Sequence, residues 1–353
     1  LFIQSMKALV LEADKTLEVH SDHPVVEGPT EDSVLVQVAA CGICGSDIPR
    51  GFGGKAYHYP LVMGHEFSGV VAEDKEGSAF KKGDRVAIFP LIPTNKQESA
   101  YQTGDWAQLS EYDYFGSRRD GAFSEYLKVP EINLFRIPDH VRTRHASMTE
   151  PAAVALHGVR RMHITAGDTG VVIGAGPIGN MCAQWLRIHG CDRVFITDVD
   201  DRKLSIAEDM GFTPINSAKV DPVKEILKLT GGGAERVIEA CGLPQTFLQA
   251  LAIAKRAGEV VFMGNIMGEF KIGEKDFSTI LRRELTIYGT WNSKIFPRGT
   301  DDWTTVLKYM DKELIVEPLI SDVVSLEEGP EIFQSIVERK KFHNKVIFEM
   351  IKS

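Results

Sequence analysis

Gly170-Val171-Val172-Ile173-Gly174-Ala175-Gly176-Pro177-Ile178-Gly179 decides the fold of this chain. A buried-strand run, Gly170 to Ile173, leads directly into a G-x-G-x-x-G turn, and a helical pattern runs on from Ile178 to His189. In that context Gly174 permits the tight turn. Gly176 lets a diphosphate approach the backbone, and Gly179 lets the helix pack closely on the strand. Pro177 and Ile178 fall at the helix N-terminus, whose backbone donors and dipole favour the diphosphate. Asp198 ends the next strand pattern, 22 residues beyond Gly176. Its carboxylate is placed to accept hydrogen bonds from the adenosine ribose and would repel a 2′-phosphate, so NAD is expected rather than NADP. Turn glycines and a strand-end cap are the purely structural alternative, and the agreement of position and pattern argues against it. The loop alone is also compatible with a flavin.

Working outward, strands and helices alternate from Ala152 to about Thr290, the rhythm of a parallel sheet flanked by helices. Strand patterns occur at Arg193–Thr197, Arg236–Glu239, Glu259–Met263 and Leu285–Tyr288, with a helix at Arg202–Met210. Gly264 and Thr290 follow the last two strands and are expected near the nicotinamide end of the cofactor. Upstream, Met6 to about Phe89 reads as short strands and turns, and 90–119 is a weakly patterned polar excursion. Downstream come helical patterns at Trp303–Lys312 and Pro330–Glu338 and a strand at Lys345–Glu349. That tail is too short for a third domain and is expected to complete the first.

With 353 residues, about two domains are expected. Forty Lys plus Arg against 49 Asp plus Glu leave a net charge of -9, which argues against a nucleic-acid surface. No apolar run is long enough to span a bilayer. Five cysteines do not make a disulfide framework, and a reducing cytoplasm fits better. Residues 1–5 read as an expression-tag remnant ahead of Met6.

Cys41-Gly42-Ile43-Cys44-Gly45-Ser46-Asp47 is followed by Gly64-His65-Glu66. Thiolate, imidazole and carboxylate together suit Zn²⁺, and Cys41, His65 and Glu66 are the expected inner set. Glu150 is the distant acid, at or just beyond the coordination sphere. Such a set leaves an exchangeable position, as catalytic zinc needs. Each residue also has an ordinary reading as packing, core hydrogen bonding or a helix cap. The C-x-x-C spacing is open to a redox-dithiol reading, although a thioredoxin-like strand-to-helix context is missing.

These features together resemble the zinc-dependent medium-chain alcohol and polyol dehydrogenases, over essentially Met6 to the C-terminus. Further support comes from Tyr57-His58-Tyr59-Pro60, Gly64 to Gly69, Tyr112 to Gly121, and Leu281 to Thr286. The resemblance implies an α/β fold: a Rossmann NAD-binding domain over 156–291 and a mainly β, GroES-like catalytic domain over 6–155 and 292–353. It carries zinc ligands to Cys41, His65 and Glu66, with Glu150 in the matching Glu-Pro position. Ser46 takes the hydroxyl proton-relay position. Cys44 is not made a ligand, and Cys182, near the third-ligand cysteine of archetypal alcohol dehydrogenases, is expected only to pack.

One departure is large. Relatives with a second, structural zinc carry four cysteines in the excursion, where this chain has Thr94, Gln97, Ala100 and Gln108. One catalytic zinc per subunit is therefore expected, and no structural zinc. The implied reaction is NAD-dependent oxidation of a polyol phosphate, galactitol 1-phosphate to tagatose 6-phosphate, by a homodimer or homotetramer. Arg118, Arg119, Lys294 and Arg298 are the candidate phosphate contacts. Other polyol, threonine and butanediol dehydrogenases are the enzymatic alternatives. A silent NAD-binding sensor is the non-enzymatic one.

Overall fold

The computed structural model describes residues 5–28, 32–73 and 75–351. Most of the segment read as a tag, residues 1–4, lies outside them. The chain divides into two compact units, Leu1–Glu150 with Lys294–Ser353, and Pro151–Ser293.

The first unit is built from short strands: β1 (Met6–Ala13), β2 (Thr16–His23), β3 (Ser33–Gly42), β4 (Leu61–Val62), β5 (Glu66–Val71) and β6 (Arg85–Ile88). There follow β7 (Leu91–Pro93), β8 (Tyr112–Tyr114), β9 (Tyr126–Pro130) and β10 (Leu134–Arg136). The second unit supplies β11 (Thr169–Ile173), β12 (Arg193–Asp198), β13 (Thr213–Asn216), β14 (Ala234–Glu239), β15 (Ala254–Phe262) and β16 (Thr286–Gly289). The chain then returns to the first unit for β17 (Ile320–Val324) and β18 (Lys345–Glu349).

In the first unit the main sheet runs β10-β6-β5-β3-β18-β17, with β9 also on β3. β18 lies antiparallel to β3, pairing Phe348 with Cys41, so the C-terminal tail does complete this sheet. One irregularity matters for the chemistry. Along β3, Val38 pairs with Gly69 but Ala40 pairs with Ser68, which leaves Ala39 as an extra, bulged residue. Val34, Val36 and Val38 face the core, and after the bulge it is Cys41 that joins them there.

The excursion over 90–119 forms a β7–β8 ribbon and rests on aromatic packing. Trp106 is 1% exposed. It stacks on Tyr101 at 5.5 Å and packs against Phe89 at 6.2 Å and Phe296 at 5.3 Å. Trp303 closes the group against Phe89 and Phe135, and Arg298 lies 3.8 Å above the Phe135 ring. Thr94, one of the positions lacking cysteine, instead donates its hydroxyl to Glu111 O.

In the second unit six parallel strands run β13-β12-β11-β14-β15-β16. The order reverses between β11 and β14, the switch point at which such sheets bind ligands. Val171, Val172 and Ile173 are buried, as a strand covered on both faces requires. The helix Pro177–Ile188 follows the glycine turn directly. β13 and the helices Pro222–Thr230, Pro244–Ile253 and Glu274–Arg283 add to the elements read from sequence.

Candidate metal and cofactor sites

The metal-type site belongs to the first unit. Ligand atoms of Cys44, His65 and Glu66 lie within 4.8 Å of one another. Cys44 comes from the loop after β3, Glu66 opens β5 and His65 immediately precedes it. Glu66 pairs with Gly42 across the two strands, so their side-chain positions share a face. A Cβ on Gly42 would stand 2.4 Å from Glu66 Oε2, so a larger residue there would displace the carboxylate from its present position.

The same register corrects the cysteine assignment. Cys41 pairs with Phe67, on the opposite face of the sheet, and both belong to the hydrophobic core. Cys41 is fully buried there, and Cys44 takes the place expected for it. Cys182 is buried too, with its thiol 3.6 Å from the Met263 sulfur, as expected of a packing residue.

The surroundings suit a cation. Burial, and then the negative charges of Glu66 and Asp47, push the Cys44 thiol well up from its ordinary value, a balance that a bound metal reverses. His65 Nδ1 is buried without a hydrogen-bond partner among the described residues. Asp47, wholly buried, accepts from Cys44 N at 2.9 Å and from Arg50 at 2.6 Å, and stands 3.6 Å from His65 Nδ1. Thiolate, imidazole and carboxylate together fit zinc, and three protein donors leave a position for substrate.

Glu150 sits in the first turn of the helix Thr149–Val159 and lies outside the tight group of three. It accepts a hydrogen bond from the Tyr114 hydroxyl at 3.1 Å, and Tyr114 packs edge-on against His65 at 5.7 Å. Burial pushes the Glu150 carboxyl up to about 7, with His65 opposing and Glu66 adding to the effect. Lys345 is the surprise. Its buried ammonium donates to Glu66 Oε2 at 2.6 Å and to Ile43 O at 3.0 Å. Burial works against that charge, yet Glu66 holds it above its ordinary value. Asp47, Tyr114 and Lys345 were not singled out from sequence. A lone lysine heading the apolar run Val346-Ile347-Phe348 was the available signal. Ser46 is exposed at the start of the helix Asp47–Phe52, and its side chain makes no capping bond.

Each expected phosphate contact has an internal partner. Arg118 donates to Tyr112 O, and its guanidinium lies 4.5 Å from the Tyr112 ring and 5.3 Å from the Tyr57 ring. Arg119 pairs with Asp113 at 2.8 Å, and Lys294 pairs with Asp105. Arg298 is engaged with Phe135 and Phe296 and donates to Ile132 O.

The dinucleotide-type site belongs to the second unit. Gly174 has φ +110°, and a Cβ on Gly179 would sit 1.8 Å from Gly174 O. A Cβ on Gly176 would meet nothing within 4 Å, leaving open space for a diphosphate. Pro177 opens the helix at its first position and Ile178 follows. Asp198 accepts from Ala175 N at 2.8 Å with one oxygen, and from Val199 N and Asp200 N with the other. It thereby ties the end of β12 to the glycine turn. Farther along the sheet, Gly264 abuts Gly242, and the Thr290 hydroxyl is buried without a partner among the described residues. These features fit a bound NAD.

No helix among the described residues is long and apolar enough to cross a membrane. Residues 177–312 match the zinc-binding dehydrogenase family, and residues 30–139 match the alcohol dehydrogenase GroES-like domain. Galactitol 1-phosphate 5-dehydrogenase of Escherichia coli K12 is 31% identical over 348 residues, 97% of this chain and 99% of that protein. (R,R)-butanediol dehydrogenase of Bacillus subtilis is 31% identical over 337 residues, covering 90% of this chain and 94% of its own. The crystal structure of galactitol-1-phosphate dehydrogenase from Escherichia coli superposes with a TM-score of 0.89 at 31% identity, covering 98% of this chain and 100% of that one. The pairing of these two domains, the Cys44–His65–Glu66 group and the full-length likeness place this chain in the zinc-dependent medium-chain dehydrogenase family, as a catalytically active oxidoreductase.

Proposed function

We propose that this enzyme oxidises the secondary alcohol of a polyol phosphate with NAD, converting galactitol 1-phosphate to tagatose 6-phosphate. The observation that carries the reading is the seating of Arg118 at one end of an aromatic row. Arg118 covers Tyr112, the Tyr112 ring is 6.3 Å from that of Tyr114, and Tyr114 contacts both Glu150 and His65. The Arg118 guanidinium donates to Tyr112 O, and its five N–H donors leave others for a phosphate.

Cys44, His65 and Glu66 would hold a zinc ion, which would supply Lewis-acid polarisation of the reacting hydroxyl, and a bound NAD would supply the hydride acceptor. Ser46 takes the hydroxyl proton and passes it toward solvent, for which its exposed position suits it. Glu150, braced by Tyr114, orients a neighbouring substrate hydroxyl. On the cofactor side, Gly174, Gly176, Pro177, Ile178 and Gly179 receive the diphosphate and Asp198 the adenosine ribose. Gly264 and Thr290 border the nicotinamide.

We read one zinc per subunit, since the excursion is held by the Trp106 cluster and offers no thiolate at Thr94, Gln97, Ala100 or Gln108. A homodimer is supported by exposed Phe277 and Leu281 on one helix face and by the edge position of β16. The five cysteines are all free thiols, which suits a cytoplasmic location.

The test compares NADH formation from galactitol 1-phosphate and galactitol by zinc-loaded enzyme. A preference in kcat/KM of roughly 100-fold, about 2.7 kcal/mol, supports the assignment. Equal efficiencies would replace it with a general polyol dehydrogenase.

A further inference from the structure

Glu239 ends β14 and is fully buried. Its Oε1 accepts three hydrogen bonds, from Cys241 N at 2.9 Å, Gly242 N at 2.8 Å and the Thr246 hydroxyl at 2.6 Å. Its Oε2 has no hydrogen-bond partner among the described residues, and no cation pairs with it there. A buried carboxylate oxygen without a donor is costly, and such groups are rare without a reason.

The place of that oxygen suggests the reason. β14 lies between β11, which carries the glycine turn, and β15. On one side, the turn built on Glu239 abuts the diphosphate loop: a Cβ on Gly174 would meet Cys241 Sγ at 2.8 Å. On the other side, Oε2 itself would stand 2.5 Å from a Cβ on Gly264, at the end of β15. Thr290, with its own unpartnered hydroxyl, follows at the end of β16. A dinucleotide that starts at Asp198 and crosses the glycine turn brings its ring half toward this end of the sheet.

We infer that Glu239 biases the cofactor site toward the oxidised ring of NAD over the reduced ring of NADH. The oxidised ring is cationic and the reduced ring neutral. An unpaired carboxylate in a water-poor wall therefore favours the first and is nearly indifferent to the second. The inference rests on the NAD reading above and adds a residue that sets the balance between its two redox forms.

The test is Glu239→Gln, which keeps the Oε1 acceptor and the shape while removing the charge. Dissociation constants are measured by calorimetry for NAD, NADH and ADP-ribose, the last lacking the ring. The expected result is a roughly tenfold weaker NAD, with NADH and ADP-ribose within about twofold of wild type. Parallel weakening of NAD and NADH, or no change in either, overturns the inference. So does loss of ADP-ribose binding, whether from a displaced turn or a misfolded variant, because Glu239 would then be a builder of the turn. If the wild type binds none of the three, the NAD reading itself falls.

Discussion

The Lys345 ammonium nitrogen lies 2.6 Å from Glu66 Oε2, with both side chains almost wholly buried. The same nitrogen donates to Ile43 O, one residue before Cys44. A single lysine thus fixes two of the three members of the metal group from a strand 279 residues beyond Glu66. In the metal-free protein it is also the charge that keeps Glu66 from standing alone among buried neighbours.

Replacing Lys345 with Met should therefore hurt the metal-free protein most. Removing one partner of a buried pair costs about 3–5 kcal/mol because the remaining charge is uncompensated. Zinc supplies that compensation, so the loaded variant should lose less. Thermal unfolding with and without zinc checks this, and equal losses in the two forms would refute it.

Cys44→Ser should abolish zinc binding, whereas Cys41→Ser should leave about one zinc per subunit. Activity in the first should fall by more than the roughly 10–100-fold typical of losses outside the coordination sphere. Elemental analysis of the purified variants decides which cysteine is the ligand. A zinc-free Cys41→Ser with normal loading of Cys44→Ser would reverse the assignment.

Arg118→Ala should lower kcat/KM for galactitol 1-phosphate by roughly 10–100-fold, the worth of a charge-assisted hydrogen bond. Turnover of unphosphorylated galactitol should stay within about twofold of wild type. If both substrates suffer alike, Arg118 supports the Tyr112 ribbon and does not read the phosphate.

His145 is 3% exposed, held between Asp311 at 2.6 Å and Glu317. Burial lowers its affinity for a proton, but hydrogen bonds and charge from Asp311 and Glu317 outweigh it and raise the pKa above 6.5. A raised folded value means the folded state holds the proton more tightly. The stabilisation is complete below about 6.5 and fades as the pH climbs through the raised value. The melting-temperature advantage of wild type over His145→Gln should therefore be larger at pH 6 than at pH 9. An equal gap at both would count against it.

Trp106→Ala should destabilise the first unit by about 3–5 kcal/mol, as expected for a large aromatic side chain removed from a packed cluster. Zinc content should not change. Loss of zinc alongside stability would tie the excursion to the metal group.

The second unit was legible because its signals are local. A hydrophobic run, a glycine turn and a helix occupy one short stretch, and the strand–helix rhythm repeats it. β13 carries little signal in the sequence, being four residues long and containing Pro214. The helix Pro222–Thr230 carried readable signals, an Asp221 cap, a first-turn proline and a left-handed Gly231, but no strong apolar run to draw attention to them. At the metal group, His65 and Glu66 are neighbours and were found together. Lys345 and the Trp106 cluster depend on contacts between distant segments, which periodicity does not report.

The choice between the two cysteines turned on something smaller still. The bulge at Ala39 reverses the parity of β3: every residue beyond it points the opposite way from what a plain strand would dictate. Counting residues within Cys-Gly-Ile-Cys therefore cannot tell which sulfur reaches the metal. In a relative that kept the same residues but paired every one of them, with no bulge, Cys41 would fall opposite Glu66 and share its face, and an unchanged motif would present a different ligand.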